Sequence, residues 1–591
     1  MTAPIRRQLY RRRPPRPVLA LVVLVSFLVS ITAAQSTTTL FSPSRAQFNL
    51  TSSSSAFFYL PASSDRPIYL TLSLCSPPDS LLNDTATHLL PHLNTTLYAS
   101  NSSLVQQPGP SALPDKSTGG TSAMSYGLGN VTLDDGAADG LWVGVWAPDD
   151  TLMGGSGGGT WTFELDVTSG DFGPSVTAEG GASFRFEDSD RDSALLTTMN
   201  WTAAGDTSTS NTPAYVPVIA PTTLLSTALG RSQCFIRQQR AVPNRRIVAS
   251  TTTRGYGGGV RSQFEVQGLQ EGTNYTAWLT ENFTTTTSGN NSTRIWDPVY
   301  FATKSSTSCR LLYDLDFCPS VAYSVPSPPS LSTTALISYF NASLSSSLAV
   351  FARTLTTFPC NSTQFGQYSV VSTCDDCYVA YRDWLCATTL PRCTDAPANA
   401  TLSSNSSLID SSNGLPTWDL PASYQSSLVR SFPPASRTPA FAPQNLSTTF
   451  PSLFNSSYPP LSRNTLDETP FPYSETPPCL DVCQLVQARC PPFLSWYCPV
   501  DGGTGTAGYA QTKGVPAGDR SAADLQGSTR TERAQDRYGN VYCNALGSDL
   551  KMAAQFIRHS SSSAASSALA GSSSLFIPLF VLSSFLLAYR P

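Results

Sequence analysis

The chain has 591 residues, with 40 acidic and 36 basic side chains and a formal net charge of -4, a length that predicts two to four domains. Charged residues make up only 13%, and no basic patch is available to hold a phosphate backbone, which argues against any nucleic-acid role. Histidine occurs only at His88, His92 and His559, so the commonest general base is scarce.

Residues 1–17 gather Arg6, Arg7, Arg11, Arg12, Arg13 and Arg16, followed by an uncharged apolar run over 18–31 and the small residues Ala33 and Ala34. That order predicts a secretory signal peptide over 1–34. A retained signal anchor is the alternative, although the run is shorter than the roughly 20 residues a spanning helix needs. Asn-x-Ser/Thr sequons at Asn49, Asn83, Asn94, Asn101, Asn130, Asn200, Asn274, Asn282, Asn290, Asn291, Asn341, Asn361, Asn399, Asn405, Asn445 and Asn455 predict N-glycans over the same span and independently support a secreted protein.

The first half predicts β structure. AFFYLP (56–61), RPIYLTLSLC (66–75), GLWVGVWAP (140–148) and GTWTFELDVTS (159–169) are rich in aromatic and β-branched residues, alternate in polarity and are separated by turn formers. One β-sandwich is expected over 36–170. A second is expected over 171–305, where Leu269, Gly272, Thr273 and Tyr275 resemble the turn that precedes a late strand of a fibronectin type III sandwich. Gly154 to Gly158 satisfy the Gly-x-Ser-x-Gly pattern of hydrolases, but a hairpin loop is the ordinary reading of so glycine-rich a stretch. DSDRDS (188–193) begins like a calcium loop; yet Ser193 stands where glycine is needed and Met199 where a bidentate glutamate is needed, so a solvated acidic turn is expected.

The second half changes character. Leu336, Tyr339, Phe340, Leu344, Leu348, Phe351 and Leu355 recur at three- and four-residue steps and predict a helix within 331–357. Cys374, Cys377, Tyr381, Trp384 and Leu385 share one helical face, as do Cys479, Cys483, Val486 and Cys490, with prolines after each run. Twelve of the fourteen cysteines lie between Cys309 and Cys543, which predicts up to six disulfides in an oxidising compartment, with connectivity open. Zinc at Cys374 and Cys377 is the rival reading, weakened by the lack of histidine in the module. Pro- and Ser-rich inserts at 397–475 and 500–535 interrupt a cysteine-rich region spanning 306–550. A Ser/Ala-rich spacer (559–574) and an apolar tail (575–591) then have the layout of a glycolipid anchor signal, with attachment candidates Ser561, Ser562, Ser563, Ser566 and Ser567; a spanning tail is the alternative. Outside the two termini no apolar stretch of about 20 residues is expected.

YDLDFCPSVAYSVP (313–326), CDDCYVAYRDWLCATTLPRC (374–393), PPCLDVCQLVQARCPPFLSWYCP (477–499) and YGNVYCNALG (538–547) resemble, in order and spacing, the fungal stretch-activated calcium channel regulatory subunit family. The resemblance implies a mainly β N-terminal half joined to an α-helical, disulfide-rich, Frizzled-like C-terminal domain. It further implies an extracellular, membrane-anchored auxiliary subunit that associates with a pore-forming calcium channel α-subunit and supports calcium influx under stress. No enzyme and no cofactor is implied. By the same resemblance Cys309, Cys318, Cys360, Cys374, Cys377, Cys386, Cys393, Cys479, Cys483, Cys490, Cys498 and Cys543 are structural disulfide cysteines. Tyr313, Tyr381, Trp384 and Phe493 match the family motifs as either core or docking surface, with core favoured because they lie on or beside the cysteine-bearing faces, and Asp314 and Asp316 are expected either to cap a helix or to contact the channel. A cell-surface mannoprotein or adhesin is the alternative from another class.

Overall fold

The computed structural model describes residues 37–546 apart from 41–43, 63–66, 82–92, 115–118, 135, 136, 138, 149–158, 170–183, 204, 205, 210, 211, 240–244, 255–258, 285–290, 306, 360–367, 370, 371, 395–473, 500–508, 510–512, 516–530 and 534–542. Nine strands come first: β1 (Thr38–Thr39), β2 (Ser44–Thr51), β3 (Ser55–Leu60), β4 (Ile68–Ser76), β5 (Thr96–Ser100), β6 (Gly119–Ala123), β7 (Leu128–Leu133), β8 (Leu141–Trp146) and β9 (Thr160–Ser169). They form two sheets, ordered β1-β3-β8-β5-β6 and β2-β9-β4-β7. The period-2 pattern of β4 sends Ile68, Leu70, Leu72 and Leu74 to one face, where they meet Phe58, Val143, Val145 and Leu97 of the facing sheet in one core with Trp161, Phe163 and Leu165.

The next elements are β10 (Arg185–Ser189), β11 (Ser193–Thr197), β12 (Tyr215–Pro221), α1 (Leu224–Ala228), α2 (Gln233–Gln239), β13 (Arg246–Thr252), β14 (Arg261–Gln267), β15 (Asn274–Thr284), β16 (Asn291–Ile295) and β17 (Val299–Ala302). One sheet runs β10-β11-β14-β13; the other centres on β15, with β12 on one side and β16 and β17 on the other. Phe264, Val266, Tyr275, Ala277, Leu279 and Phe301 fill the space between them. Tyr275 ties the turn before its own strand, its hydroxyl accepting from the Gln270 backbone N–H at 2.8 Å.

The α2 helix joins the two sandwiches. Its Phe235 and Ile236 are buried together with Val218 and Trp278 in the first core, Cys234 is disulfide-bonded to Cys75 of β4, Arg237 pairs with Glu164 of β9, and the Ser232 hydroxyl donates to the Leu74 carbonyl at 2.6 Å.

A third unit follows. It opens with a hairpin, β18 (Cys309–Leu315) and β19 (Cys318–Pro326), then α3 (Thr333–Leu355) and α4 (Cys374–Thr389). A neck of β20 (Arg392–Thr394) and β21 (Ser474–Thr476) precedes α5 (Leu480–Arg489) and a single 3-10 turn (Pro492–Leu494), and β22 (Lys513–Val515) pairs with β23 (Thr531–Arg533). Ser332 caps α3, its hydroxyl accepting from the Ala335 N–H. Thr373 and Asp376 form a capping box on α4, which supplies two orphan N–H groups with acceptors. Leu336, Phe340, Leu344 and Leu348 of α3 pack with Leu312, Val321 and Tyr323 of the hairpin and with Leu385 of α4.

The architecture is thus mostly β-sheet, with few helices and several disulfides. Two expectations are corrected. The third unit begins as a hairpin, so Asp314 lies on a strand and Asp316 in a hairpin turn, and neither caps a helix. An apolar span is present after all: α3 is long and apolar enough to cross a membrane by length and composition. Interspersed Ser338, Asn341, Ser345 and Ser346 hide it in the sequence; here one stripe of α3 is buried and Asn341, Ser345 and Ser346 are exposed.

Candidate functional site

Six disulfides join described residues: Cys75–Cys234, Cys309–Cys393, Cys318–Cys386, Cys377–Cys490, Cys479–Cys543 and Cys483–Cys498. Cys374 is disulfide-bonded as well, and Cys360 lies outside the described residues. With both cysteines in disulfides, Cys374 and Cys377 have no thiolates to offer zinc. Cys318–Cys386 ties the hairpin to α4 and Cys377–Cys490 ties α4 to the end of α5. Between these staples lies a cleft of about 690 Å³. Its walls are Thr252 at the end of β13 with Thr253 and Arg254 just after it, the β18–β19 turn, the first turns of α4 and the end of α5.

Five aspartates line the cleft, Asp314, Asp316, Asp375, Asp376 and Asp383, with Arg254, Arg382 and Arg489. All three guanidiniums are engaged. The nearly buried Arg254 donates to Asp314 at 3.1 Å, which also accepts from Gln263 at 2.9 Å. Asp314 itself has φ +54° at the register shift of the hairpin. Arg489 lies 3.5 Å from Asp376, and Arg382 donates to Asp383 at 3.2 Å. Burial pushes the Asp383 carboxyl above its ordinary value, against the pull of Arg382 and the Ser320 hydroxyl. Asp316 and Asp375 are exposed and belong to no ion pair among the described residues. Among the described residues they leave the cleft with uncompensated negative charge.

A buried knot ties the second sandwich to the stapled unit. Asp188 of β10 accepts from Lys304 at 2.5 Å, from Arg392 of β20 at 3.0 Å and from the Ser324 backbone of β19 at 3.0 Å. Burial alone would raise its pKa, but attraction to Arg392 and Lys304 and the hydrogen bonds from Lys304 and Ser324 hold it below the ordinary value. The expected solvated turn at 188–193 is therefore corrected: Arg191 and Asp192 are exposed, whereas Asp188 is buried. The Tyr313 hydroxyl adds a bond across the same junction, to Glu265 at 2.8 Å.

The remaining predicted residues fall elsewhere. Tyr381 stacks on Phe351, and Trp384 meets Trp496 edge-on at 4.6 Å. Phe493 is 78% exposed, which corrects its placement in the core; it projects from a loop held by Cys490 and by Cys498. Asn49, Asn94, Asn130 and Asn341 are exposed, and Asn101, Asn200 and Asn274 are half-buried. Asn282 and Asn291 lie on strands β15 and β16. Asn83, Asn290, Asn361, Asn399, Asn405, Asn445 and Asn455 fall outside the described residues, as do residues 1–34, Gly154 to Gly158, the three histidines and Ser561, Ser562, Ser563, Ser566 and Ser567. Sequence reasoning missed Asp376 although Thr-x-x-Asp is a capping signature, and it missed Arg254, for which the sequence carries no local signal.

Sandwich-like β-sheets carry a disulfide-stapled unit, with a charged surface cleft lined by β13, the β18–β19 turn, α4 and α5. The chain belongs to the Mid1 family, described as a stretch-activated Ca2+-permeable channel component, whose family model matches residues 67–523. It is 31% identical over 324 residues to the stretch-activated cation channel yam8 of Schizosaccharomyces pombe, covering 54% of this chain and 55% of that protein. It is 39% identical over 145 residues to the stretch-activated cation channel MID1 of Saccharomyces cerevisiae, covering 24% and 26%. Against the MID1 channel of Cryptococcus neoformans the identity is 29% over 359 residues, covering 55% and 49%. The matches thus span about half the length of the first and third relatives and about a quarter of the second. All three relatives carry the name stretch-activated cation channel, in keeping with the family's description as a channel component.

Proposed function

We propose that the chain is an extracellular auxiliary subunit of a plasma-membrane calcium channel, supporting stretch- or stress-activated calcium influx, and that it docks on the outer face of a pore-forming α-subunit through the cleft. In this reading residues 1–34 direct secretion, the sequons carry glycans, and the tail beyond 559 anchors the chain by a glycolipid or a span. Residues 36–170 and 171–305 are the two sandwich domains, and 306–550 is the cysteine-rich domain, Frizzled-like in descent. One observation carries the docking site: Asp316 and Asp375 are exposed, have no ion-pair partner among the described residues and sit on stapled backbone, so two charges stand ready for a partner at little cost in ordering.

The test is an epitope tag after Gln35 in the native cell, with recovery of the α-subunit from mild-detergent membranes and stress-induced calcium uptake measured for wild type and for D316N/D375N. We expect at least tenfold lower recovery and reduced uptake in the variant, with unchanged secretion. Full recovery by a normally secreted variant refutes the cleft as the docking site. Reproducible calcium-selective currents from the purified chain alone in bilayers refute the auxiliary role.

A further inference from the structure

Strand β13 is anomalous for an edge strand. It pairs with β14 alone, in unbroken register from Arg246↔Gln267 to Thr252↔Arg261, and residues 246–252 make no other backbone hydrogen bond among the described residues. Both of its faces meet solvent: Arg246, Ile247, Ala249, Ser250 and Thr251 are exposed, and Val248 and Thr252 are half-buried. None of its side chains joins the core that its sheet neighbours fill. Proteins protect such edges with proline, lysine, a bulge or a covering element. β13 has no proline, no lysine and no bulge, and its only charge is Arg246 at its start. The opposite edge of the sheet, β10, is covered by the β19 hairpin and locked to it through Asp188.

This open edge runs directly into the cleft, since Thr252 ends the strand and, with Thr253 and Arg254 just after it, forms part of the cleft wall. Seven residues of strand offer about 23 Å of unpaired ladder, leading to a wall where Asp316 and Asp375 hold unanswered negative charge.

We propose that the β13 edge accepts an extended segment of a partner polypeptide as a further antiparallel strand, with two basic residues at the N-terminal end of that segment lying in the cleft against Asp316 and Asp375. The proposal rests on the docking reading above and specifies the chemistry of the partner. Main-chain bonds along β13 supply affinity and the acidic cleft sets register and direction. Antiparallel pairing is the more stable arrangement per residue, and it brings the N-terminus of the added strand to Thr252. A second copy of this chain, paired edge to edge about a two-fold axis, brings Arg245 and Arg246, but the Arg245 guanidinium is held in its own domain by the Ile219 carbonyl and the Tyr275 ring, which leaves one guanidinium for two carboxylates that are open among the described residues. The charge balance favours a heterologous partner.

The probe is a fluorescein-labelled peptide, acetyl-Lys-Arg-Thr-Val-Thr-Val-Thr-Val-Thr, titrated by fluorescence polarisation against the full secreted chain. We expect saturable binding that weakens at least tenfold when alternate residues of the peptide are N-methylated, when Lys-Arg is moved to its C-terminus, and in D316N/D375N. Val248→Pro and Ala249→Pro remove N–H groups that point to opposite edges. The one that removes an outward N–H keeps its secretion level and circular dichroism and loses the peptide. No binding by wild type, or equal binding of the N-methylated peptide, overturns strand addition. A wild-type dimer in sedimentation that the same proline variant dissociates overturns the heterologous partner in favour of a second copy. If wild type recovers the α-subunit and the folded proline variant recovers it equally, strand addition at β13 fails while the channel-subunit reading stands. If wild type recovers no α-subunit, the channel-subunit reading itself fails.

Discussion

Asp188→Asn is the sharpest test of how the sandwich and the stapled unit are joined. The side chains of Asp188, Lys304 and Arg392 are 4%, 9% and 4% exposed, so each charge is compensated by its partners rather than by water. The carboxylate also accepts from the Ser189 N–H at 2.8 Å and the Ser324 hydroxyl at 3.3 Å. Asparagine keeps one acceptor oxygen, turns an NH2 group toward a cation and leaves two buried positive charges without their counter-ion. Breaking a buried pair from one side costs about 3–5 kcal/mol, a large share of the roughly 5–15 kcal/mol that holds a typical domain folded. Urea unfolding of the secreted protein, followed by intrinsic fluorescence, measures this as a lowered midpoint. Because the folded-state pKa is depressed, the contribution of Asp188 is complete above the ordinary aspartate value of about 3.9 and disappears as pH falls through the lower folded value. The stability gap between wild type and variant must therefore close in acid. A triple replacement, Asp188→Leu with Lys304→Met and Arg392→Met, should recover part of the loss because no charge is left stranded. A D188N protein within about 0.5 kcal/mol of wild type at neutral pH would refute the reasoning.

Thr373→Ala removes the α4 capping box and should cost about 1 kcal/mol in the same unfolding assay. Replacing Cys483 and Cys498 with serine opens a bridge of sequence separation 15; a loss of about 3 kcal/mol is expected, read from the urea midpoint of the unreduced protein. Because burial raises the Asp383 carboxyl, its favourable contribution is complete below the ordinary aspartate value and fades as pH rises through the folded value, so Asp383→Asn should flatten stability against pH across that window. Phe493→Ser, at a side chain 78% exposed, should leave the midpoint unchanged within about 0.5 kcal/mol.

What sequence reveals here depends on whether the signal is local. The buried stripe of α3 is legible because Leu336, Phe340, Leu344 and Leu348 repeat with the helix period, and the strands of the first half are legible from alternation. Cys374 to Cys490 display their helical faces in the same way. The hairpin over 309–326 is hidden because Asp314, Asp316 and the adjacent cysteine look like the start of a helix, while the pairing that makes them a turn runs between β18 and β19. Asp188 reads as solvated because its four neighbours to Asp192 include two more acids and an arginine; the partners that bury it, Lys304, Ser324 and Arg392, lie more than a hundred residues away. The cleft is illegible for the same reason, with its wall residues drawn from β13, the hairpin, α4 and α5. Phe493 reads as core because it stands beside the cysteine-bearing face that ends at Cys490, and the 3-10 turn it sits in leaves it exposed.

The neck of β20 and β21 fixes Thr394 opposite Ser474, so the two ends of residues 395–473 are held side by side whatever lies between them. Loop closure grows only with the logarithm of length, about 0.6 kcal/mol per doubling. A change in the length of chain between the paired ends is thus nearly neutral to the fold, which makes this a position where an engineer can splice in a reporter.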